Sequence, residues 1–263
     1  MNFKSEINRR HKRDTRAERA LVLVFGVFLL AAISLVGSQS RMAIAGTAPG
    51  FAADMDPAKV AAAVKANAQA LKAFTWQQHL QLQLKGETKK ITLNQMTYDM
   101  NGNLQKTLLS EQPAADSDQS SGGGRGGRLK KRVIAKKKGE FKEMMEGISS
   151  LVKSYTELPP EQLQAALKQA AISQGNGEMQ GAIQIQLTGV LQLGDSLTLW
   201  IDETTMLFRR VAIATKYDKN PVTATANYAA LPTGQAYMAQ AILNYPKKQV
   251  VVQIDNLNYQ QSR

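Results

Sequence analysis

The side chains that could do chemistry are few, and their spacing limits what they can do. There is no cysteine, so thiol catalysis, disulfides and cysteine-ligated metals are excluded. His11 and His79 are the only histidines. Two histidines so far apart offer neither a metal-ligand spacing nor the material of a typical triad. Gly122-Gly123-Gly124-Arg125-Gly126-Gly127 fits G-x-G-x-x-G letter for letter. That fingerprint works only between a strand and a helix N-terminus, where amides and dipole meet a pyrophosphate. Here a Ser/Asp/Gln-rich loop precedes it, so it reads as a linker. It fails as a P-loop too, because Arg128-Leu129 stands where Lys-Ser/Thr must be. An RGG-type nucleic-acid segment is another chemical reading of the stretch, and an export segment upstream argues against it.

Asp99, Asp195, Asp202, Asp218 and Asp255 are the carboxylates worth weighing. All fall at expected strand ends or turns, where Asp serves the backbone. Two of them on one concave sheet face would suit glycoside hydrolysis, but no spacing selects a pair. His79 falls on the polar face of its strand with no acid nearby in sequence. Arg209 and Arg210 lie on opposite faces of a returning strand, and a cross-strand ion pair is the expected use of them. The chemistry-bearing residues thus imply no catalytic site, no metal and no cofactor.

The elements that carry these residues begin behind a basic leader. Residues 1–19 hold seven Lys/Arg and three Asp/Glu, a net +4. Ala20 to Val36 then carries only Ser34 as a polar residue. A basic flank before a solid apolar run predicts an export signal or a transmembrane anchor with a cytoplasmic N-terminus. Ala43-Ile44-Ala45 offers a cleavage site. If uncut, residues 20–36 would hold the chain in the inner membrane. A linker follows over 37–55. The other basic block, Arg125 to Lys138, holds eight Lys/Arg and no acid within a total of +12. The folded body is therefore near neutral, and whole-protein nucleic-acid binding is not expected.

Asp56-Pro57 predicts a helix start, Asp at the N-cap and Pro at N1, with the helix ending near Ala73. Trp76, Leu80, Leu82 and Leu84 then alternate with polar residues, the period of a half-buried strand. Lys90 to Met100 is the next strand, its apolar phase shifting from Ile91 and Leu93 to Met96 and Tyr98. A bulge near Asn94-Gln95 would absorb that shift. Asn101-Gly102 predicts a type I′ hairpin. Gln112 to Gly127 is low-complexity loop. Gly139 to Tyr155 is an amphipathic helix with Phe141, Met144, Met145, Ile148, Leu151, Val152 and Tyr155 on one face. A second helix covers Pro160 to Ile172, and Gly175-Asn176-Gly177 ends the insertion. Strands resume near 179–193, 195–202, 207–217, 221–230, 236–245 and 248–259, with Leu191 and Leu193 in phase with Ile183, Ile185 and Leu187. Short turns make them antiparallel. The fold class is α+β: about nine antiparallel strands, strongly curved into a half-barrel wrapped around helices. Residues 56–259 form one domain, with a loop-and-helix insertion over 112–177.

Gly194 to Val211 (GDSLTLWIDETTMLFRRV) is a strand–Asp–turn–Arg–Val hairpin, and Trp76 to Leu109 has the same flavour. Together with the order helix, sheet, helical interruption, sheet, these residues resemble the LolA-like superfamily. That superfamily includes periplasmic lipoprotein carriers, lipid-binding lipoproteins and the sensor-binding RseB type. The resemblance implies a non-enzymatic protein of the periplasm or cell envelope. Its ligand would be a lipid or lipidated protein, held between the curved sheet and a helical lid. The pocket would then be lined by Phe141, Met144, Met145, Ile148 and Leu151 from the helix. Ile183, Ile185, Leu187, Val211 and Ile213 would line it from the sheet. Arg125, Arg128, Lys130, Lys131, Arg132, Lys136, Lys137 and Lys138 are candidates for contact with an anionic surface. A membrane-anchored sensory or protein-interaction module is the alternative reading, and an envelope hydrolase is a third.

Overall fold

A computed structural model describes residues 57–113 and 127–262. The basic leader, the apolar run, the linker and most of the Gly-rich loop lie outside the described residues. Among those described, no helix is long and apolar enough to cross a membrane.

Among the described residues, three α-helices and ten strands make up the fold. Helix α1 is Pro57–Leu71, α2 is Gly127–Thr156 and α3 is Pro160–Leu167. The first three strands are β1 (Phe74–Leu84), β2 (Glu87–Tyr98) and β3 (Leu104–Pro113). Beyond the helices come β4 (Ala171–Gln174), β5 (Ala182–Thr188), β6 (Ser196–Asp202) and β7 (Phe208–Tyr217). The last three are β8 (Asn220–Ala230), β9 (Ala236–Tyr245) and β10 (Val250–Gln261). All pair antiparallel in one open, curved sheet, in the order β3-β2-β1-β10-β9-β8-β7-β6-β5-β4. The class is α+β.

The connectivity explains the insertion. β1 to β3 step outward to one edge, while β4 is the opposite edge. The chain must therefore cross the whole sheet between β3 and β4, and α2 and α3 make the crossing. Ten strands at about 4.8 Å spacing span roughly 43 Å. A 30-residue helix is about 45 Å long. The length of α2 is close to that path measured along the sheet, and the curvature of the sheet makes the straight crossing shorter. β4 then meanders back through β5 to β10, and β10 pairs with β1.

One face of the sheet receives the helices. Leu80, Val252, Ile254, Leu243, Ala241, Ala224, Val222, Ile213, Leu199 and Leu187 pack there against Val60 of α1, Met145, Ile148 and Val152 of α2 and Leu163 of α3. These sheet residues recur at every second position, so the period-2 signal is the cause of this one-sided core. At the far end of β1 the same face turns polar and aromatic. Trp76 donates its Nε1–H to Asn256 Oδ1 at 3.1 Å and stacks on Tyr259 at 5.3 Å, 4° from parallel. Burial pushes the Tyr98 hydroxyl beside Trp76 up to about 12.

Five expectations need correction. The bulge expected near Asn94-Gln95 is not on β2, which keeps one phase from Thr92 to Met96 and buries Thr92, Asn94 and Met96. It lies in β3, where Leu93 faces Ser110 but Asn94 faces Leu108. Pairing of Met96 with Trp76 sets the phase, and the edge strand, with only one neighbour, absorbs the extra residue. At Asn101-Gly102 only Gly102 is left-handed, at φ 76. Asp99 instead caps the turn by accepting the N–H of Asn101 and of Asn103, both at 2.9 Å. Helix α2 begins at Gly127 rather than Gly139, because Lys, Arg, Leu and Ala are good helix formers. The tenth strand, β4, takes residues expected to be helical. Ile172 pairs with Ile185 there, and sheet pairing overrides local propensity. The hairpin arginines also find other partners: Arg210 pairs with Glu178 at 3.4 Å and donates to Asn227.

Candidate functional site

Three turns meet at one end of the sheet. Lys85 and Gly86 join β1 to β2 with φ of 57 and 78, and Asp218 and Lys219 join β7 to β8 with φ of 48 and 63. Two successive left-handed residues mark the tight hairpin whose twist suits flanking strands. Pro246–Lys248 is a 3-10 turn closed by Gln249, also left-handed. The Lys85 N–H donates to the Gln249 carbonyl at 2.8 Å, which ties the first turn to the third. Pairing of Leu84 with Val250 is what sets these turns side by side.

Helix α2 passes over this end and leaves a groove of about 970 Å³. Its floor is apolar, formed by Leu82, Leu84, Phe141, Met144, Tyr217 and Tyr245. Its rim is basic: Lys85, Lys89, Lys247 and Lys248 from the sheet end, and Lys137 and Lys138 from α2. Glu140, Glu143 and Asp218 share the lining, so lysines outnumber acids six to three. The size falls in the range of small-molecule sites, roughly 300–1,000 Å³.

Two contacts fix α2 over the groove. Gly147 lies so close to Tyr217 that a Cβ there would come within 2.8 Å of two ring carbons. Gly147→Ala is therefore expected to lower stability by about 1 kcal/mol. Overpacking costs about 1–3 kcal/mol, which outweighs the gain of about 1 kcal/mol in helix propensity. Chemical denaturation of the two proteins checks this, and a gain in stability would mean the ring simply swings aside.

The second contact is a buried polar latch near the helix C-terminus. Tyr155 donates its hydroxyl to Asp195 Oδ2 at 2.5 Å, and Thr215 lies 2.7 Å from the same phenol oxygen. Asp195 also accepts the N–H of Val190, Leu191 and Gln192 at 2.7, 2.9 and 2.8 Å. Burial works to raise the Asp195 carboxyl, but the Tyr155 hydroxyl and the three amides outweigh it and hold the group below its ordinary value. Burial, with the Asp195 carboxylate next, pushes Tyr155 up to about 12. The loop that Asp195 organises turns Leu193 into solvent, 96% exposed, so strand β5 ends at Thr188 rather than near 193.

The residues expected to line a pocket fall into two groups. Phe141 and Met144 line the groove. Met145, Ile148, Ile185, Leu187, Val211 and Ile213 are buried in the core between α2 and the sheet, with Leu151 and Ile183 partly buried against it. The expected basic contacts divide as well. Lys137 and Lys138 are on the rim, and Lys136 pairs with Glu140 at 3.8 Å. Arg128, Lys130, Lys131 and Arg132 belong to the first turns of α2, and Arg125 lies outside the described residues. Sequence reasoning missed Lys85, Lys247 and Lys248, since only the β1–β10 pairing brings their turns together.

Three of the carboxylates take backbone duties. Besides Asp99 and Asp195, Asp202 accepts the N–H of Thr204 and Thr205 at 3.0 and 2.8 Å. Asp255 sits opposite His79 in the register, Oδ2 to Nδ1 3.8 Å, a partner that lies too far along the chain to be read from sequence. Among the described residues, no group of three or more His, Asp or Glu is placed to hold a metal.

No family model and no curated protein matches the sequence. Among solved structures, the chain is similar to a DUF1329 family protein from Desulfovibrio piger, at 11% identity and a TM-score of 0.34. That match covers 79% of this chain and 94% of the other. It is also similar to LolA superfamily protein NE2245 from Nitrosomonas europaea, at 10% identity and a TM-score of 0.31, covering 74% of this chain and 93% of that one.

Proposed function

We propose that this chain is a non-enzymatic protein of the cell envelope that binds a lipid, or the acyl chain of a lipidated partner, between the sheet and α2. The groove carries the reading: an apolar floor, a charged rim and a single long helix as its cover. Burying acyl carbons contributes about 0.8 kcal/mol per CH₂, so affinity needs no polar motif. Phe141 and Met144 would meet the first carbons. Outward movement of α2 would open Met145, Ile148, Ile185, Leu187, Val211 and Ile213 to the remainder. The methionines suit ligands of variable shape. The basic leader and apolar run supply export or anchoring in this reading.

Native mass spectrometry of the full chain purified from membranes tests it. A lipid should co-purify, and Met144→Glu, which places a carboxylate on the groove floor, should reduce its occupancy at least tenfold. Protein that stays free of lipid after exposure to vesicles would sink the proposal.

A further inference from the structure

We infer that the groove is selective for an anionic phospholipid, taken as a single molecule from a membrane surface. This rests on the lipid-binding reading above and adds the headgroup to it. The observation is the distribution of charge around the floor. Lys85, Lys247 and Lys248 come from turns of the sheet, and Lys137 and Lys138 come from α2. These five lie on exposed positions, so their ammonium groups stand at the lip while their stems can cover apolar floor. Lysine is a mobile, strongly hydrated point charge, suited to a phosphate whose depth varies with the seated chain. Glu140, Glu143 and Asp218 offset part of this charge, and an excess of two lysines remains among these five.

That excess discriminates between lipid classes. A zwitterionic headgroup brings its own ammonium to a cationic lip and meets like charge, a repulsion that rejects the wrong ligand. The acylated glycerol end of a lipidated polypeptide carries no charge, and would leave the lip unmatched. An anionic phospholipid satisfies both halves of the groove, chain on floor and phosphate at rim.

The test uses the full-length chain, incubated with vesicles of equal parts phosphatidylglycerol and phosphatidylcholine, then re-isolated for native mass spectrometry. Phosphatidylglycerol should be retained about tenfold over phosphatidylcholine, with the ratio shrinking as salt is raised. Lys247→Gln and Lys138→Gln should each reduce the preference for phosphatidylglycerol over phosphatidylcholine about five-fold and leave the fold unchanged by circular dichroism. An N-palmitoylated neutral peptide should compete weakly. Equal uptake of both phospholipids, glutamine variants that behave as the parent, or the acyl peptide displacing phosphatidylglycerol would each overturn the inference while lipid binding stood. Retention of neither lipid would remove the groove reading and this one together.

Discussion

Asp195→Ala is expected to lower the stability of the domain by about 3–5 kcal/mol and to free the C-terminal half of α2. The carboxylate serves four donors at once: the Tyr155 hydroxyl and the amides of Val190, Leu191 and Gln192. Asp195 is buried at 3% exposure, so water cannot take over most of these bonds. Each buried donor left unmet costs about 1–3 kcal/mol, out of a total near 5–15 kcal/mol for a typical domain. Asp195→Asn keeps the shape and one carbonyl acceptor, and should cost about half as much. Tyr155→Phe leaves the loop caps intact and removes only the helix tether, at about 1.5–3 kcal/mol. Denaturant unfolding orders the three, and limited proteolysis across α2 separates helix release from loop collapse. Equal resistance of Asp195→Ala and parent would show that the latch holds nothing.

The same carboxylate sets a pH response. Its folded-state value lies below the ordinary 3.8. A depressed carboxyl contributes stability that is fully present above the unfolded value and is lost as pH falls through the folded one. The dock of α2 should therefore be unaffected from neutrality down to about pH 4 and weaken below it. Asp195→Asn should flatten that part of the acid-unfolding curve.

Trp76→Ala is the second large effect, about 3–5 kcal/mol, through a different part of the sheet. Trp76 is 3% exposed and removes its whole ring from the β1–β10 junction. Its loss takes away the stack on Tyr259 and the bond to Asn256, whose own amide donates to the Met238 carbonyl at 2.8 Å. The damage should spread from β1 into β10 and β9, because Asn256 links all three. Trp76→Phe keeps most of the ring area and should cost about a third as much. Amide exchange of β10 in the two variants distinguishes a local cavity from a loosened junction. Unchanged exchange in Trp76→Ala would confine the effect to the cavity.

Much of this architecture was legible in the residues. The alternation from Trp76 to Leu84 is a physical period, and it placed the inner face of that strand correctly. The apolar stripe Phe141 to Tyr155 likewise identified the face that α2 buries. What escaped has a common cause, in that it depends on contacts between distant segments. Thr92 and Asn94 look like outer-face residues until pairing with β1 fixes their phase. Neither side-chain amide atom of Asn94 has a partner among the described residues, which no local rule predicts. Tyr155 reads as one more apolar knob, although its hydroxyl reaches Asp195 forty residues away. The groove lysines are scattered over two turns, a strand and a helix, so no window of sequence contains them.

The last strand lies in the interior of the sheet, between β1 and β9, and Asn256 meets Trp76 across 180 residues of chain. That placement has a consequence in time. During synthesis β1 emerges early with an open edge, and its permanent neighbour β10 is made only after β2 to β9. Contacts of such long sequence separation form slowly, and an unpaired strand edge invites intermolecular pairing while it waits. The hairpins β1–β2–β3 and β5 to β9 can each assemble from neighbours alone. Joining them is the late step. Deleting Val250–Gln261 should therefore leave two partial sheets with exposed edges, and a chain that must be escorted rather than one that folds to a smaller domain.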